Sequence, residues 1–310
     1  RFLNMYQIRS TYKAPEVEET LDIFFYRPFG YILAKISGAF GLTPDAVTIL
    51  SMIIGVIAGH LFYYQSMALN IAGILLLIFS EALDSADGQL ARITGIKSKH
   101  GRILDGLAGN IAFISIYLNI YARLLHEGAS PSIILLIIFA GVSHSFQSAM
   151  ADYYRNGFLY FAVVPQKAEL ERSANIAEKY LALSWIKNTA DKFFMRIYLN
   201  YTREQELLSP NFQKLFNTAK SVYQDNIPEF FRNEYSKLNR PLIKYYNILT
   251  TNTRMIFLFV VLLMGMPFLY FLFELFVLNL LLAYVIIRQE SINRSLLNIL
   301  SHSAARNKDA

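Results

Sequence analysis

Long apolar segments separated by short polar ones dominate this chain. Four of them cover about residues 47–64, 69–83, 103–125 and 131–153, and the second continues without a helix breaker to residue 92. About 20 apolar residues suffice for a helix to cross a bilayer. A last stretch, 255–287, is too long for one helix, and Gly-Met-Pro at 265–267 predicts a tight turn that divides it into two spans. The pattern predicts an all-α integral membrane protein with six transmembrane helices, the fifth beginning near Tyr246.

Polar segments complete the predicted organisation. Apolar positions such as Ile176, Tyr180 and Leu183 recur at helical spacing and predict short amphipathic helices in a cytoplasmic insertion between spans four and five. Aromatic and basic residues between 21 and 36 favour an interfacial helix, with a soluble amphipathic helix as the alternative. The predicted order is an N-terminal cytoplasmic or interfacial segment (1–42), spans one to four (43–164), the insertion (165–245), spans five and six (246–288) and a cytoplasmic tail (289–310).

Composition and charge support a membrane protein and orient it. Hydrophobic residues make up 54% of the 310 and charged residues 17%, against about 25% charged in soluble proteins. The net charge of +6 could indicate nucleic-acid binding, but the basic residues collect between spans two and three and in the insertion, whereas 65–70 and 265–267 carry no charge. Positive loops mark the cytoplasmic side, so we expect cytoplasmic termini and no nucleic-acid partner. The absence of cysteine excludes disulfides and thiol nucleophiles.

One cluster of ionisable residues stands out at the cytoplasmic end of span two. Six positions fall within an arc of about 140° on one helix face: Glu81, Asp84, Asp87, Gly88, Ala91 and Arg92. Acids at membrane depth cost roughly 2.5–3.5 kcal/mol each and are functional candidates. Carboxylates bind Mg²⁺ and leave positions for phosphate oxygens, so a phosphate substrate is predicted. The alternative is a helix end whose acids face water and pair with Arg92 and Arg102.

The spacing of these residues carries a family resemblance. Asp84-Ser-Ala-Asp87-Gly88-Gln-Leu-Ala91-Arg92, then eight residues, then Gly101-Arg-Ile-Leu-Asp105, is similar to the signature D-x2-D-G-x2-A-R-x8-G-x3-D-x3-D of the CDP-alcohol phosphotransferases. Seven of its eight fixed positions match. The six predicted spans and the segment Leu42-Thr-Pro-Asp-Ala-Val-Thr48 also resemble that family, so the likeness covers about residues 20–160 and, by topology alone, the last two spans.

The resemblance implies an enzyme of lipid synthesis. Such an enzyme transfers a substituted phosphate from a CDP-linked alcohol, often CDP-diacylglycerol, to an acceptor alcohol and releases CMP. It further implies that Asp84, Asp87 and Asp105 bind Mg²⁺ or Mn²⁺, two ions in all. Substrate contacts fall on Gly88, Ala91, Arg92 and Gly101. The site is expected at the cytoplasmic face of a bacterial inner membrane or a membrane of the endoplasmic-reticulum type, and the family commonly forms homodimers.

The chain departs from the signature at its fourth aspartate, usually assigned as the base, because Gly109 stands there. Three explanations remain open: a rearranged base, altered or lost catalysis, and an engineered substitution. For the first, Glu81 is expected at a similar depth to position 109 and is our candidate for a surrogate base or metal ligand. Asn110 could coordinate weakly but cannot act as a base. The alternative function is an inactive relative that binds nucleotide-lipid as a regulatory or assembly partner. A transporter is disfavoured because the acids cluster at one surface.

Other polar and small residues carry weaker predictions. His144, Gln147 and Arg155, late in span four, are candidate contacts to a substrate headgroup, with a satisfied polar seam between helices and an Asp152–Arg155 pair as the alternative. Glu274 stands alone in span six and is expected to be an interhelical hydrogen-bond partner, in its protonated form. Trp185 is assigned to packing or to the interface. Gly55 and Gly59 have the G-x-x-x-G spacing of either internal helix packing or a homodimer face.

Overall fold

A computed structural model describes residues 11, 15–96 and 101–306. Across these ranges the chain is helical, without a β-strand. The described residues contain six helical segments long and apolar enough to cross a membrane: Pro44–Leu61, Met67–Thr94, Leu107–His126, Ile133–Val163, Glu229–Leu263 and Phe268–Leu300. The predicted fold class, an all-α membrane protein with six spans, is confirmed. The interfacial and cytoplasmic placements of the other segments stay predictions.

The chain divides into two compact units. The first contains the described residues up to Val142 together with Arg254–Leu275. After a wider π-type turn at Asp22–Tyr26, its helices are α1 Arg27–Ala39, α2 Pro44–Leu61, α3 Met67–Thr94 and α4 Gly101–His126. It also holds the first turns of α5 Ile133–Phe158, most of α11 Thr251–Leu263, and α12 Phe268–Leu272.

Local sequence signals set the ends of the first unit's helices. Thr43 accepts a hydrogen bond from the Ala46 backbone N–H at 3.2 Å, and Pro44 follows as the first helical residue of α2. Gly95 ends α3 at a φ of 72°, a left-handed conformation that favours glycine. Gly265 adopts a φ of 70° between α11 and α12, so the predicted turn at 265–267 is confirmed.

Small residues bring α2 close to α3 and α4. A Cβ placed on Gly55 would lie 2.8 Å from the Ala112 Cβ and 3.0 Å from the Ser80 hydroxyl. A Cβ on Gly59 would lie 2.7 Å from the Ser115 hydroxyl. These distances are too short for any side chain, so the glycine face of α2 is occupied inside the unit. The G-x-x-x-G spacing is therefore internal packing, and the homodimer remains a prediction without this argument.

A fully buried ion pair lies between α11 and the turn that follows α12. Arg254 Nε is 3.0 Å from one Glu274 carboxylate oxygen and 3.3 Å from the other, and Tyr270 Oη donates to Glu274 at 2.8 Å. The expectation that Glu274 stands alone is wrong, although its predicted role as an interhelical hydrogen-bond partner is correct. Arg254 precedes the turn at 265–267 by 11 residues and Glu274 follows it by seven, so the turn brings the two together.

The second unit comprises Ser143–Thr253 and the described residues from Phe276 onward. Its helices after α5 are α6 Ser173–Ala182, α7 Thr189–Leu208, α8 Pro210–Tyr223, α9 Glu229–Asn239, α10 Ile243–Ile248 and, after the π-type turn Phe273–Leu278, α13 Asn279–Arg306. The predicted start of span five, Tyr246, lies within α10, while the helical segment that contains this span extends back to Glu229 through a 3-10 turn at Arg240–Leu242.

An acid from α13 fixes the start of α8 within the second unit. Glu290 accepts hydrogen bonds from the backbone N–H groups of Asn211 (2.7 Å) and Phe212 (3.2 Å) and from the Ser209 hydroxyl (2.6 Å). These donors have no partner inside their own helix, and a negative charge at a helix N-terminus is favourable. Phe212 then packs at 4.6 Å between ring centres against Tyr153 of α5. The Glu290 carboxylate thus connects α8 to α13, and the contact between Phe212 and Tyr153 connects α8 to α5.

Candidate active site

The acidic face of α3 lies in the first unit and is anchored by α2. Asp87 is buried, whereas Glu81 and Asp84 are partly exposed. Thr48 Oγ1 donates to Asp87 Oδ2 at 2.5 Å. This short hydrogen bond orients the carboxylate from a different helix. Thr48 lies in a segment that resembles the family, but the sequence did not assign it to the site. Its contact with Asp87 joins positions 39 residues apart, which a sequence pattern does not reveal.

Close approaches of α2 to α3 and α4 at Gly55 set the register of the two halves of the motif. Ser80 of α3 and Ala112 of α4 both face Gly55. Asp84 and Asp87 follow Ser80 by four and seven residues, and residues 105 and 109 precede Ala112 by seven and three. Positions at these spacings share a helix face. On α3 and on α4, the face that meets Gly55 of α2 therefore continues into the face that carries the motif. Because the two helices are antiparallel, both motif halves lie on the same side of Gly55 along the helix axes.

Position 109 is open. Among the atoms that the structure describes, a Cβ built on Gly109 of α4 meets none within 4 Å. The backbone of Asp105 belongs to the same helix, which begins at Gly101, but the Asp105 side chain lies outside what the structure describes, as does that of Arg102. The missing acid thus leaves space rather than a replacement side chain at this position.

Glu81 of α3 interacts electrostatically with the segment that precedes α1. Burial raises the pKa of Tyr26, and the negative charge of Glu81 raises it further. Tyr26 ends the π-type turn that leads into α1. Glu81 therefore lies near that turn, and by the helical repeat of about 100° per residue it is about 60° around α3 from Asp84. Its role as surrogate base stays a prediction.

Arg92 lies across Gly88 near the end of α3. A Cβ on Gly88 would be 3.4 Å from each terminal nitrogen of the Arg92 guanidinium. The Nε of Arg92 donates to the backbone carbonyl of Thr11. A Cβ 3.4 Å away would be in ordinary contact with the guanidinium, so the Arg92 side chain lies directly over Gly88. Ala91, one residue earlier, is partly buried.

Residues of the N-terminal segment contact the side of α3 next to the motif. Thr11 Oγ1 donates to Gln89 Oε1 at 3.0 Å, and Gln89 Nε2 donates to the Arg27 carbonyl at 2.9 Å. The Arg27 guanidinium makes two 3.0 Å hydrogen bonds to Glu18 and a 3.5 Å contact with Ser85. We call these the N-terminal contacts. They were not predicted, because the contacts to α3 join positions about 60 to 80 residues apart, and the Glu18–Arg27 pair carries no periodic signal.

The donor set of α3 suits a hard cation. Among the side chains that the structure describes, no group of three His, Asp or Glu residues is close enough to hold a metal. Asp105, the third predicted ligand, is outside that set. Asp84 and Asp87 supply carboxylate oxygens one turn apart on one face, which is the ligand type that Mg²⁺ and Mn²⁺ prefer.

The second predicted polar group lies in the second unit, within α5. Gln147 is fully buried and donates to Asn279 Oδ1 at 2.7 Å, and Asn279 in turn donates to the Ser143 hydroxyl at 2.9 Å. His144 is buried and Arg155 is partly buried. The Gln147 contact is what a polar seam between α5 and α13 provides. A headgroup contact at these three residues stays a prediction.

Glu204 is an acid that sequence reasoning missed. It sits on α7 and accepts a hydrogen bond at 2.9 Å from the Ser145 hydroxyl of α5, 59 positions earlier. Burial raises the pKa of Glu204, and the Ser145 hydrogen bond partly offsets this. Nearby on α5, Asp152 accepts from Asn156 at 2.9 Å and from Gln205 at 3.4 Å. Only the helical period of α7 could have placed Glu204 on the α5 side.

Two comparisons with known proteins found a similarity. Residues 41–157 match the family model described as CDP-alcohol phosphatidyltransferase. An archaetidylinositol phosphate synthase from Pyrococcus horikoshii is 38% identical over 88 residues, which are 28% of this chain and 45% of that relative. The match thus spans less than half the length of the relative. No solved structure is significantly similar to this chain.

Proposed function

We propose that this chain transfers a substituted phosphate from a CDP-linked alcohol, such as CDP-diacylglycerol, to an acceptor alcohol in lipid synthesis and releases CMP, because residues 41–157 match the CDP-alcohol phosphatidyltransferase family model. The observation that carries the proposal is the acidic face of α3, where Asp87 is oriented by Thr48 and Asp84 lies one turn away. The matched region contains both motif halves.

Asp84, Asp87 and Asp105 are the residues that would hold Mg²⁺ or Mn²⁺. Bound cations would neutralise negative charge on the pyrophosphate and on the departing CMP. The protein's own contribution is orientation. Thr48 hydrogen-bonds to the Asp87 carboxylate, and the α2 glycines let α3 and α4 pack closely against α2.

Gly88, Ala91, Arg92 and Gly101 form the proposed substrate-binding positions. The Thr11 carbonyl holds the Nε of Arg92, so that the terminal nitrogens lie over the bare backbone of Gly88. A guanidinium in that position suits two phosphate oxygens at once. Arg155, with His144 and Gln147, remains a proposed headgroup contact.

The proton of the acceptor hydroxyl needs a base. In the transfer, the acceptor oxygen forms a bond to the phosphorus distal to the cytidine, and the bond from that phosphorus to the CMP oxygen breaks. Glu81 is the proposed base that takes the hydroxyl proton, and the space at Gly109 leaves room for the acceptor. The open position 109 also favours the second candidate function, a family member that binds nucleotide-lipid without turnover.

CMP release by the purified chain tests the proposal. The assay uses CDP-diacylglycerol, Mg²⁺ or Mn²⁺, and a panel of acceptors that begins with inositol phosphate, because the relative's product is archaetidylinositol phosphate. We expect acceptor-dependent release that Asp84→Ala abolishes. Nucleotide binding without release across the panel would replace the transferase by the non-catalytic candidate. Release that persists in Asp84→Ala would refute the assigned site.

A further inference from the structure

The connection between α6 and α7 exposes large apolar side chains, and we define Leu181, Trp185 and Ile186 as the tip. Their exposed fractions are 75%, 49% and 93%. Single exposed apolar residues are ordinary on protein surfaces. Three within six residues of one turn form a local apolar surface that needs a partner.

Hydrogen bonds close the turn that carries the tip. The Asn188 backbone N–H donates to the Ser184 carbonyl at 2.9 Å, and the Thr189 hydroxyl donates to the Trp185 carbonyl at 2.6 Å. The Ile186 N–H donates to the Ser184 hydroxyl at 3.2 Å. Several polar groups of this turn are therefore paired within it, while the three apolar side chains are exposed. Pairing within the turn lowers the cost of bringing its backbone to a membrane surface.

Basic and aromatic side chains surround the tip. Lys192 Nζ donates to the Leu183 carbonyl at 2.6 Å and lies 4.8 Å from the Tyr180 ring centre and 5.6 Å from that of Trp185. Lys187 is exposed beside Ile186. Four basic residues and one acid lie between positions 179 and 196. Apolar and aromatic groups with cations at their edge are typical of segments that lie at a membrane surface.

An anionic bilayer fits this surface better than a protein does. Lysine is depleted at protein interfaces, whereas lysines close to a membrane surface are attracted to anionic lipids. A bilayer is also within reach, because the span that ends at Val163 precedes α6 by nine residues, and α6 itself is about 15 Å long.

We propose that the tip of the α6–α7 connection inserts Leu181, Trp185 and Ile186 into the interfacial region of the membrane that the chain spans, with Lys187 and Lys192 at anionic headgroups. The insertion gives this polar part of the second unit a second attachment to the bilayer. It is independent of the proposed catalytic function, since none of these residues belongs to the proposed site.

Intrinsic fluorescence can test this insertion without labelling, because Trp185 is the only tryptophan of the chain. The full chain is reconstituted in vesicles of phosphatidylcholine with about 30% phosphatidylglycerol. We expect lipids brominated on the upper acyl chain to reduce the emission by about half or more, while aqueous acrylamide quenches weakly. Strong acrylamide quenching without lipid quenching would overturn the proposal. Protection from both quenchers would also overturn it, because protein would then cover the tip.

Paired variants sharpen the result. Ile186→Glu should lose the lipid quenching and gain acrylamide quenching, whereas Leu207→Glu, at a position 72% exposed near the other end of α7, should change neither. Lys187→Glu should weaken lipid quenching on the anionic vesicles but not on pure phosphatidylcholine, and Lys187→Arg should behave as the unmodified chain. Equal effects of Ile186→Glu and Leu207→Glu, or no effect of Lys187→Glu, would contradict the proposed contact. The measurement on the unmodified chain needs no variant to fold.

Discussion

Two groups of acids in the first unit lie in membrane-spanning segments and differ in access. Glu274 is fully buried, and its carboxylate is enclosed by Arg254 and Tyr270. Glu81 and Asp84 on α3 are partly exposed, and a neighbouring helix leaves open space at Gly109. Ionisable residues within a membrane are functional candidates by default. The comparison shows that access divides them: the enclosed acid is positioned to hold helices together, and the accessible acids can meet a substrate.

The largest expected effect, a loss of stability, follows from breaking the buried Arg254–Glu274 ion pair. Glu274→Ala leaves the Arg254 guanidinium buried without its counter-charge, which should cost about 3–5 kcal/mol of the free energy of unfolding. Thermal unfolding in detergent measures the loss. The double variant Arg254→Leu with Glu274→Met should recover most of it, because a buried pair can often be replaced by apolar residues. A single variant as stable as the unmodified chain would show that the pair is not structural.

The accessible side of the comparison is tested at position 109. Gly109→Asp should fold normally, since its Cβ meets no atom of the described residues within 4 Å and aspartate is no worse than glycine in a helix. In a Glu81→Gln background that has lost transfer, it should restore the rate by about 10²-fold or more, the usual contribution of a general base. Gly109→Asn, of nearly equal size but without a base, should restore nothing. Full activity of Glu81→Gln alone would remove Glu81 from the mechanism.

A smaller loss of activity is expected when the Thr48 hydroxyl, which hydrogen-bonds to Asp87, is removed. Thr48→Val keeps the shape of the side chain but removes the donor to Asp87, a loss of about 1–3 kcal/mol for a buried acceptor. CMP release should fall about tenfold, since about 1.4 kcal/mol corresponds to a factor of ten. Thr48→Ser retains the hydroxyl and should retain most of the activity. Equal rates for the valine and serine variants would mean that this hydrogen bond does not position Asp87.

Glu204 is a partly exposed acid, and its substitution is expected to have the smallest effect on stability. Its pKa is raised by burial in the folded protein, so ionisation opposes folding. The stability that the protonated form contributes is fully present below the unfolded-state pKa and is lost as the pH rises through the higher folded-state pKa. Glu204→Gln should therefore gain stability relative to the unmodified chain across that interval, by no more than about 1 kcal/mol because the side chain is partly exposed. Unfolding curves at several pH values measure this. A constant difference would contradict the raised pKa.

The sequence pattern predicted the features that depend on residues close together in the chain. Apolar lengths gave the six spans, and Gly265 with Pro267 gave the turn between the last two. Motif spacing also predicted that Asp84 and Asp87 share a face. Contacts between distant positions were missed, such as Thr48 with Asp87 and Thr11 with Gln89.

The Arg254–Glu274 pair was missed although a signal existed. An antiparallel pair of helices that turns at 265–267 brings residue 254 opposite residues near 277, one turn from Glu274. A buried arginine so close in register is a natural partner for a buried acid. Asp105, by contrast, is placed by its motif alone, since its side chain lies outside the described part of the chain.

The most direct test of the transferase follows the phosphorus atom that moves. A CDP-linked lipid with ³²P in the phosphate distal to the cytidine is incubated with the purified chain, Mg²⁺ and an acceptor alcohol. The proposed reaction predicts that the label appears in the lipid product joined to the acceptor, with unlabelled CMP formed in equal amount. Label that stays in the CDP-linked donor, or that appears in a phosphate without the acceptor, would contradict it.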